Sequence, residues 1–312
     1  MQSNWAVHFT VSRNSLPYLL HSVTAYSNLK SEFANVKYFV YCLDEFSQKA
    51  LKKKSIFEQV YLVSLSSISG SVGHAIAVET AFKNFQPEHF NVISDTDIYL
   101  MLRDWDVTIS RMFGDKTIDI LGTQHEGIGG YISGFLKQQQ YKNKPSTTWM
   151  AFNLGVVVPD LSVMPDKQHV VQIESEYLSD LYGLPLGYEL FKDTGWQIPS
   201  YLEDHQLSYK VLDLVKPTSH NAKVLHGLNS YHDEFHFNNE PFLIHQRGSM
   251  THKFRIGNLS RNFYLAGDKY LNYPNWSKPP TKIDIFSAFP ELFWKIFKKF
   301  VRRIRMYRIK LD

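Results

Sequence analysis

Apolar and polar positions alternate with period two over residues 5–12 (WAVHFTVS), the pattern of an extended strand whose side chains point to opposite faces. The spacing then becomes helical over 16–29, returns to a strand over 36–44 (VKYFVYCLD), and gives a short helix at 46–55 (FSQKALKKKS) and a third strand at 57–65 (FEQVYLVSL). Residues 73–85 place Ala77, Ala81 and Phe85 on one helical stripe, and a fourth strand begins at Asn91. Parallel neighbours need long crossovers, so this order predicts an α/β fold: a Rossmann-like, mostly parallel central sheet with helices on both faces. Ligands of such sheets bind beyond the carboxyl ends of the strands.

The later pattern is less regular. Strands are expected at 118–124 and 149–160, and 125–148, rich in Gly, Gln and Lys, reads as a mobile excursion. Residues 161–192 read as helical and irregular, 195–208 as a helix followed by a short strand, and 241–249 (PFLIHQRGS) as a strand. Pro274 to Pro280 forms the clearest linker, dividing a domain at 1–272 from a tail at 281–312.

Composition narrows the class. The 312 residues are 44% hydrophobic, enough for a sizeable core. A single cysteine, Cys42, rules out a disulfide framework and points to a reducing compartment. No apolar run reaches the ~18–20 residues of a spanning helix, and the N-terminus MQSNWAVHF lacks the pattern of a secretory signal. A cytoplasmic location is expected. The net charge of +4 is too small to argue for nucleic acid, but residues 291–312 hold eight Lys/Arg and two acids, leaving the remainder of the chain slightly acidic. Phe293, Ile296, Phe297, Phe300, Ile304 and Tyr307 fall on one arc of that tail and most of the basic residues on the other. This pattern fits an amphipathic helix lying on an anionic membrane surface. The competing expectation is a helix packed on the domain.

The stretch HFNVISDTDIYLML (89–102) carries two acids, Asp95 and Asp97, at the end of an otherwise apolar strand. Like charges at i and i+2 of a strand share a face and repel, so their burial calls for a cation or strong hydrogen-bond donors. An Asx-turn pair ending the strand is the simpler alternative.

Acid-any-acid at the end of the fourth strand, with GSVGHAIAVETAF before it, WDVTISRMF after it and FNLGVVV some fifty residues later, resembles the DxD-containing GT-A glycosyltransferases of surface-polysaccharide or lipopolysaccharide assembly. The resemblance covers roughly 5–255 and implies a UDP- or GDP-sugar donor with Mn²⁺ or Mg²⁺. It implies metal ligation by Asp97, with Asp95 on the ribose or a metal-bound water, and a third ligand from the C-terminal part. His245 is the first candidate and His226 the second, with Arg247, Ser249 and Lys253 suited to the diphosphate. Thr10, Ser12, Arg13, Asp44 and His74 are the candidate donor contacts near the first strands, and Asn153 and Trp196 the candidate acceptor contacts. An inverting transferase would also need a general base, which a retaining one need not have: Asp193, expected to cap the helix at 195–208, is the first choice and Asp204 the second, because it falls late in that helix.

The expected activity is therefore sugar transfer to a glycan or lipid-linked acceptor at the inner membrane face. A nucleotidyltransferase making activated sugars is the nearest enzymatic alternative, but TVSRNSLPYLL has no glycine to cradle a triphosphate. A non-catalytic carbohydrate-binding or membrane-associated protein is the third reading, suggested by 18 Tyr, 22 Phe and 6 Trp.

Overall fold

The period-two pattern of the first strand becomes two buried faces. The computed structural model describes residues 3–12, 15–63, 70–114, 118–124, 143–172, 176–177, 189–215 and 232–246. In β1 (Ser3–Val11), Trp5, Val7, Phe9 and Val11 pack into one core, while Ala6 faces a second on the other side of the sheet. β1 lies parallel to β2 (Ala34–Cys42) on one side and β4 (Phe90–Asp95) on the other, and β2 lies parallel to β3 (Gln59–Leu62). Strands covered on both faces read as nearly continuous apolar runs.

Helix α1 (Leu16–Leu29) buries Tyr18, Leu19, Val23, Tyr26 and Leu29 in the first core, which also takes Leu51 of α2 (Glu45–Leu51). Helix α3 (Gly70–Lys83) buries Ala75, Ala77, Val78, Ala81 and Phe82 in the second. Crossovers are right-handed, so β1 to β2 to β3 advances with its helices on one face, and the return from β3 to β4 must pass over the other. The order β3-β2-β1-β4 consequently reverses between β1 and β4. That reversal opens a crevice at the carboxyl ends of these two strands, where Thr10 pairs with Asp95.

Beyond β4 the sheet is mixed, which corrects the expectation of a mostly parallel one. A short β5 (Ile98–Leu100) and α4 (Trp105–Gly114) precede β6 (Ile120–Gln124), and β7 (Pro145–Phe152) inserts antiparallel between β4 and β6. β10 (Tyr209–Val215) runs parallel to β6 and then pairs antiparallel with β11 (His232–Phe237). β11 and β12 (Glu240–Gln246) form a hairpin through Asn238 and Asn239, both at positive φ (50° and 66°), as a tight hairpin turn requires. β12 pairs with β5 and completes the ten-stranded order β3-β2-β1-β4-β7-β6-β10-β11-β12-β5. The last strand in this order is joined to β4 by the short Thr96–Asp97 link, so the sheet turns back on its own carboxyl edge.

Three local expectations change. β7 starts at Pro145, with Thr123 and Ser146 hydroxyls 2.9 Å apart in the interior, so polar residues extend a strand expected from 149 onward. Residues 166–172 and 189–192, expected to be helical or irregular, form the antiparallel pair β8 (Asp166–Gln172) and β9 (Glu189–Lys192). The helix expected at 195–208 is α5 (Ile198–Asp204): Gly195 at φ +84° breaks helical geometry before it, and Pro199 occupies its first turn. The tail at 281–312, the 1–272 boundary, and most of 125–148 lie outside the described residues. Among the described residues no helix is long and apolar enough to cross a membrane.

Candidate metal and donor site

Asp95 is the last residue of β4, and Thr96 and Asp97 form the turn into β5. The two carboxylates therefore converge through a turn and not through strand alternation. The β12–β5 register sets His245 opposite Ile98, next to Asp97. One ligand atom from each of Asp95, Asp97 and His245 lies within 4.8 Å of the other two, and His245 Nε2 stands 3.7 Å from Asp97 Oδ1. Asp97 is only 4% exposed.

A second layer surrounds Asp95. The Thr10 hydroxyl donates to Asp95 Oδ1 at 3.5 Å and lies 3.2 Å from His74 Nδ1, and that nitrogen is itself 3.5 Å from Asp95 Oδ1. Burial, and then the charge of Asp97, push the Asp95 carboxyl well above the usual range, while His245 and the Thr10 hydrogen bond pull it back. Burial lowers the His74 pKa, opposed by the charges of Asp193 and, to a smaller extent, Asp97. Asp193 and Asp97 thus both act on His74 by charge.

A buried and a half-buried carboxylate with an imidazole at this spacing suit a divalent cation: the ion would offset the repulsion that raises Asp95, and it would accept oxygen and nitrogen donors together. Removal of one ligand gives a direct check. His245→Ala is expected to weaken Mn²⁺ binding at least about tenfold, the low end for losing even an outer partner of a metal ligand. Calorimetric Mn²⁺ titration measures this, and unchanged affinity would exclude His245 from the site.

The other candidates are distributed unevenly. Asp193 follows β9, and its Oδ1 accepts from the Thr194 N–H at 2.8 Å. It does not cap α5, whose N-cap is Gln197. Asp204 is the last residue of α5, at the end away from Asp193. Ser12 closes β1 through hydrogen bonds with Ser15, its N–H donating to Ser15 Oγ at 2.8 Å. Asp44 caps α2, with one oxygen accepting from the Ser47 N–H and the other from the Ser47 hydroxyl, both at 2.8 Å, so its carboxylate serves the helix. Trp196 donates its indole N–H to the Met164 carbonyl, and Lys192 Nζ lies 4.0 Å above its ring, so that face is already covered.

Asn153 lies away from this cluster. β7 runs antiparallel to β4, pairing Trp149 with Ser94 and Phe152 with Asn91, so Asn153 emerges at the opposite edge of the sheet. There its amide donates to the Phe113 and Ile118 carbonyls and links the two segments. Arg13, His226, Arg247, Ser249 and Lys253 lie outside the described residues. Sequence reasoning missed the clamp that Glu79 forms with Ser162 and Val163, because nothing in the local pattern of α3 marks a partner more than eighty residues away.

No family model matches the chain, and no curated protein matches it. Among solved structures it is similar to the mannosyltransferase PcManGT from Pyrobaculum calidifontis in complex with GDP-Man and Mn²⁺, at 13% identity and TM-score 0.34 over 49% of this chain and 45% of that one. Mouse xyloside xylosyltransferase 1 in its apo form is 10% identical, with TM-score 0.37 over 67% of this chain and 85% of that one. S. aureus TarS 1–349 in complex with UDP-GlcNAc is 14% identical, with TM-score 0.34 over 68% and 59%. The chain spans less than half the length of the mannosyltransferase. Superpositions this loose fix no residue correspondence.

Proposed function

We propose that this chain is a metal-dependent glycosyltransferase that moves a sugar from a UDP- or GDP-sugar to a glycan or lipid-linked acceptor. The observation that carries the reading is the convergence of Asp95, Asp97 and His245 at the carboxyl edge of the sheet, beside the β1/β4 reversal. Asp97 and His245, with Asp95, would hold Mn²⁺ or Mg²⁺; the imidazole makes the set better suited to Mn²⁺ than to Mg²⁺, which favours oxygen ligands. When bound, the ion would neutralise the charge gathering on the departing nucleoside diphosphate. Thr10 and His74 hold Asp95 in place. The acceptor oxygen bonds to the anomeric carbon as the nucleoside diphosphate leaves with the electron pair of the broken C–O bond, and Asp193 receives the hydroxyl proton. Slow hydrolysis of the donor is a cheap assay for this chemistry. Across a panel of UDP- and GDP-sugars, one donor is expected to release its nucleotide with Mn²⁺ and not with EDTA; no metal-dependent release from any of them would leave the binding-protein reading standing.

The basic tail adds a location to this reading: peripheral attachment to the inner face of the membrane, where lipid-linked acceptors are presented. Each Lys or Arg near an anionic surface contributes roughly 1 kcal/mol, and the aromatic arc adds interfacial burial. Deleting residues 290–312 is expected to release the protein from anionic vesicles while keeping activity on a soluble acceptor, as read by co-sedimentation. An intact chain that never sediments with such vesicles contradicts the attachment, and a large fall in melting temperature on truncation favours packing on the domain.

A further inference from the structure

Two hydrogen-bonded connections, one direct and one through the 162–164 loop, tie the turn carrying Asp193 to α3, the helix that carries His74. The Thr194 hydroxyl donates to the Ser71 carbonyl at 3.1 Å, in the first turn of α3. Farther along α3, Glu79 Oε1 accepts from the Ser162 hydroxyl at 2.8 Å and the Val163 N–H at 2.9 Å. That loop in turn receives the Asp193 turn: the Gly195 N–H donates to the Val163 carbonyl at 3.0 Å, and the Trp196 and Gln197 side chains donate to the Met164 carbonyl at 3.0 and 2.7 Å. Gly195 adopts φ +84°, and a Cβ there would meet Thr147 Cγ2 at 3.0 Å and Ile198 Cδ1 at 3.1 Å, so the turn has little room to shift. The Thr194 N–H donates to Asp193 Oδ1 at 2.8 Å and the Thr194 hydroxyl lies 3.5 Å from the same oxygen, which orients the carboxylate.

We propose that Thr194 and Glu79 are positioning residues that fasten the Asp193 turn to α3 at two points and thereby fix the place of the Asp193 carboxylate. The inference rests on the proposed role of Asp193 as the base. A base must lie within hydrogen-bond reach of its proton, and displacement by about 1 Å can cost on the order of 10²-fold in rate. Thr194 and Glu79 touch neither donor nor metal in this scheme, so their loss falls on the transfer step and spares donor binding.

Steady-state kinetics of conservative pairs tests it. Thr194→Val keeps the side-chain shape and removes the hydroxyl; it is expected to lower kcat by roughly 10- to 100-fold with little change in donor KM or Mn²⁺ affinity. Thr194→Ser restores the hydroxyl and is expected to recover most of that loss. Glu79→Ala is expected to lower kcat in the same way, and Glu79→Gln, which keeps an acceptor oxygen for the Ser162 hydroxyl and the Val163 N–H, to recover it. Should Glu79→Ala fail to fold, the Thr194 pair still decides. Wild-type turnover in Thr194→Val beside an inactive Asp193→Asn overturns the positioning role alone. Equal losses in Thr194→Val and Thr194→Ser, or a loss confined to donor KM, also overturn it. Wild-type turnover in Asp193→Asn removes the base itself, and this inference with it.

Discussion

Asp97→Asn is expected to abolish metal-dependent transfer, lowering turnover at least ~10³-fold, because metal stabilisation of a leaving diphosphate is worth several kcal/mol and each 1.36 kcal/mol is tenfold. Asp97 is buried in the turn beside His245, so no neighbouring carboxylate can take its place without moving the β4–β5 link. The same substitution should leave the fold intact and stabilise the metal-free protein at neutral pH. The Asp95 carboxyl is raised above its ordinary value near 3.8, partly by Asp97. A carboxyl raised in the folded state binds its proton more tightly there than in the unfolded chain, so stability falls as pH climbs from about 4 through the folded-state pKa. Asparagine at position 97 removes that like charge. Melting curves in EDTA should therefore show Asp97→Asn above wild type at pH 7.5 and level with it near pH 4. Wild-type turnover in the variant would contradict the metal assignment, and a melting deficit at both pH values would contradict the repulsion between the two carboxylates.

Asp193→Asn is expected to lower turnover by more than ~10²-fold, the low end for a lost general base, with donor and Mn²⁺ affinity nearly unchanged. The carboxylate lies close enough to His74 for its charge to act on the ring, yet it belongs to a separate turn anchored on α3. Asp204→Asn is expected to stay near wild type, because Asp204 ends α5 at the far side from that turn. The reverse outcome, a slow Asp204→Asn and a fast Asp193→Asn, would assign the base to the Glu203–Asp204 pair.

Local order was legible where one face of an element alone decides it. Helix α1 was readable to its ends, since the helical spacing over Leu16 to Leu29 defines it without outside help. Asp95 and Asp97 stood out because adjacent like charges in an apolar strand demand compensation. Strand direction was not legible. Periodicity is identical for parallel and antiparallel strands, so β7 could not be known to run away from the site and to leave Asn153 at the edge opposite Asp95. β8, β9 and β11 were missed because short polar strands such as DKQHVVQ and HDEFHF owe their conformation to a pairing partner distant in sequence. His245 was visible as a residue type, but its approach to Asp97 depends on the β12–β5 register, a long-range fact. Asp44 and Trp196 show a further limit: both lie in suitable segments, yet Ser47 engages one and Lys192 covers the other.

The most direct test of a metal-bridged sugar-nucleotide site is calorimetric titration of UDP and of GDP into the full-length protein, with Mn²⁺ and again with EDTA. One of the two nucleotides should bind in Mn²⁺ and lose measurable binding in EDTA, and Asp97→Asn should show no Mn²⁺-dependent binding of either. Equal affinity with and without metal, or no binding of either nucleotide in Mn²⁺, would contradict the assignment of Asp95, Asp97 and His245 as a donor site.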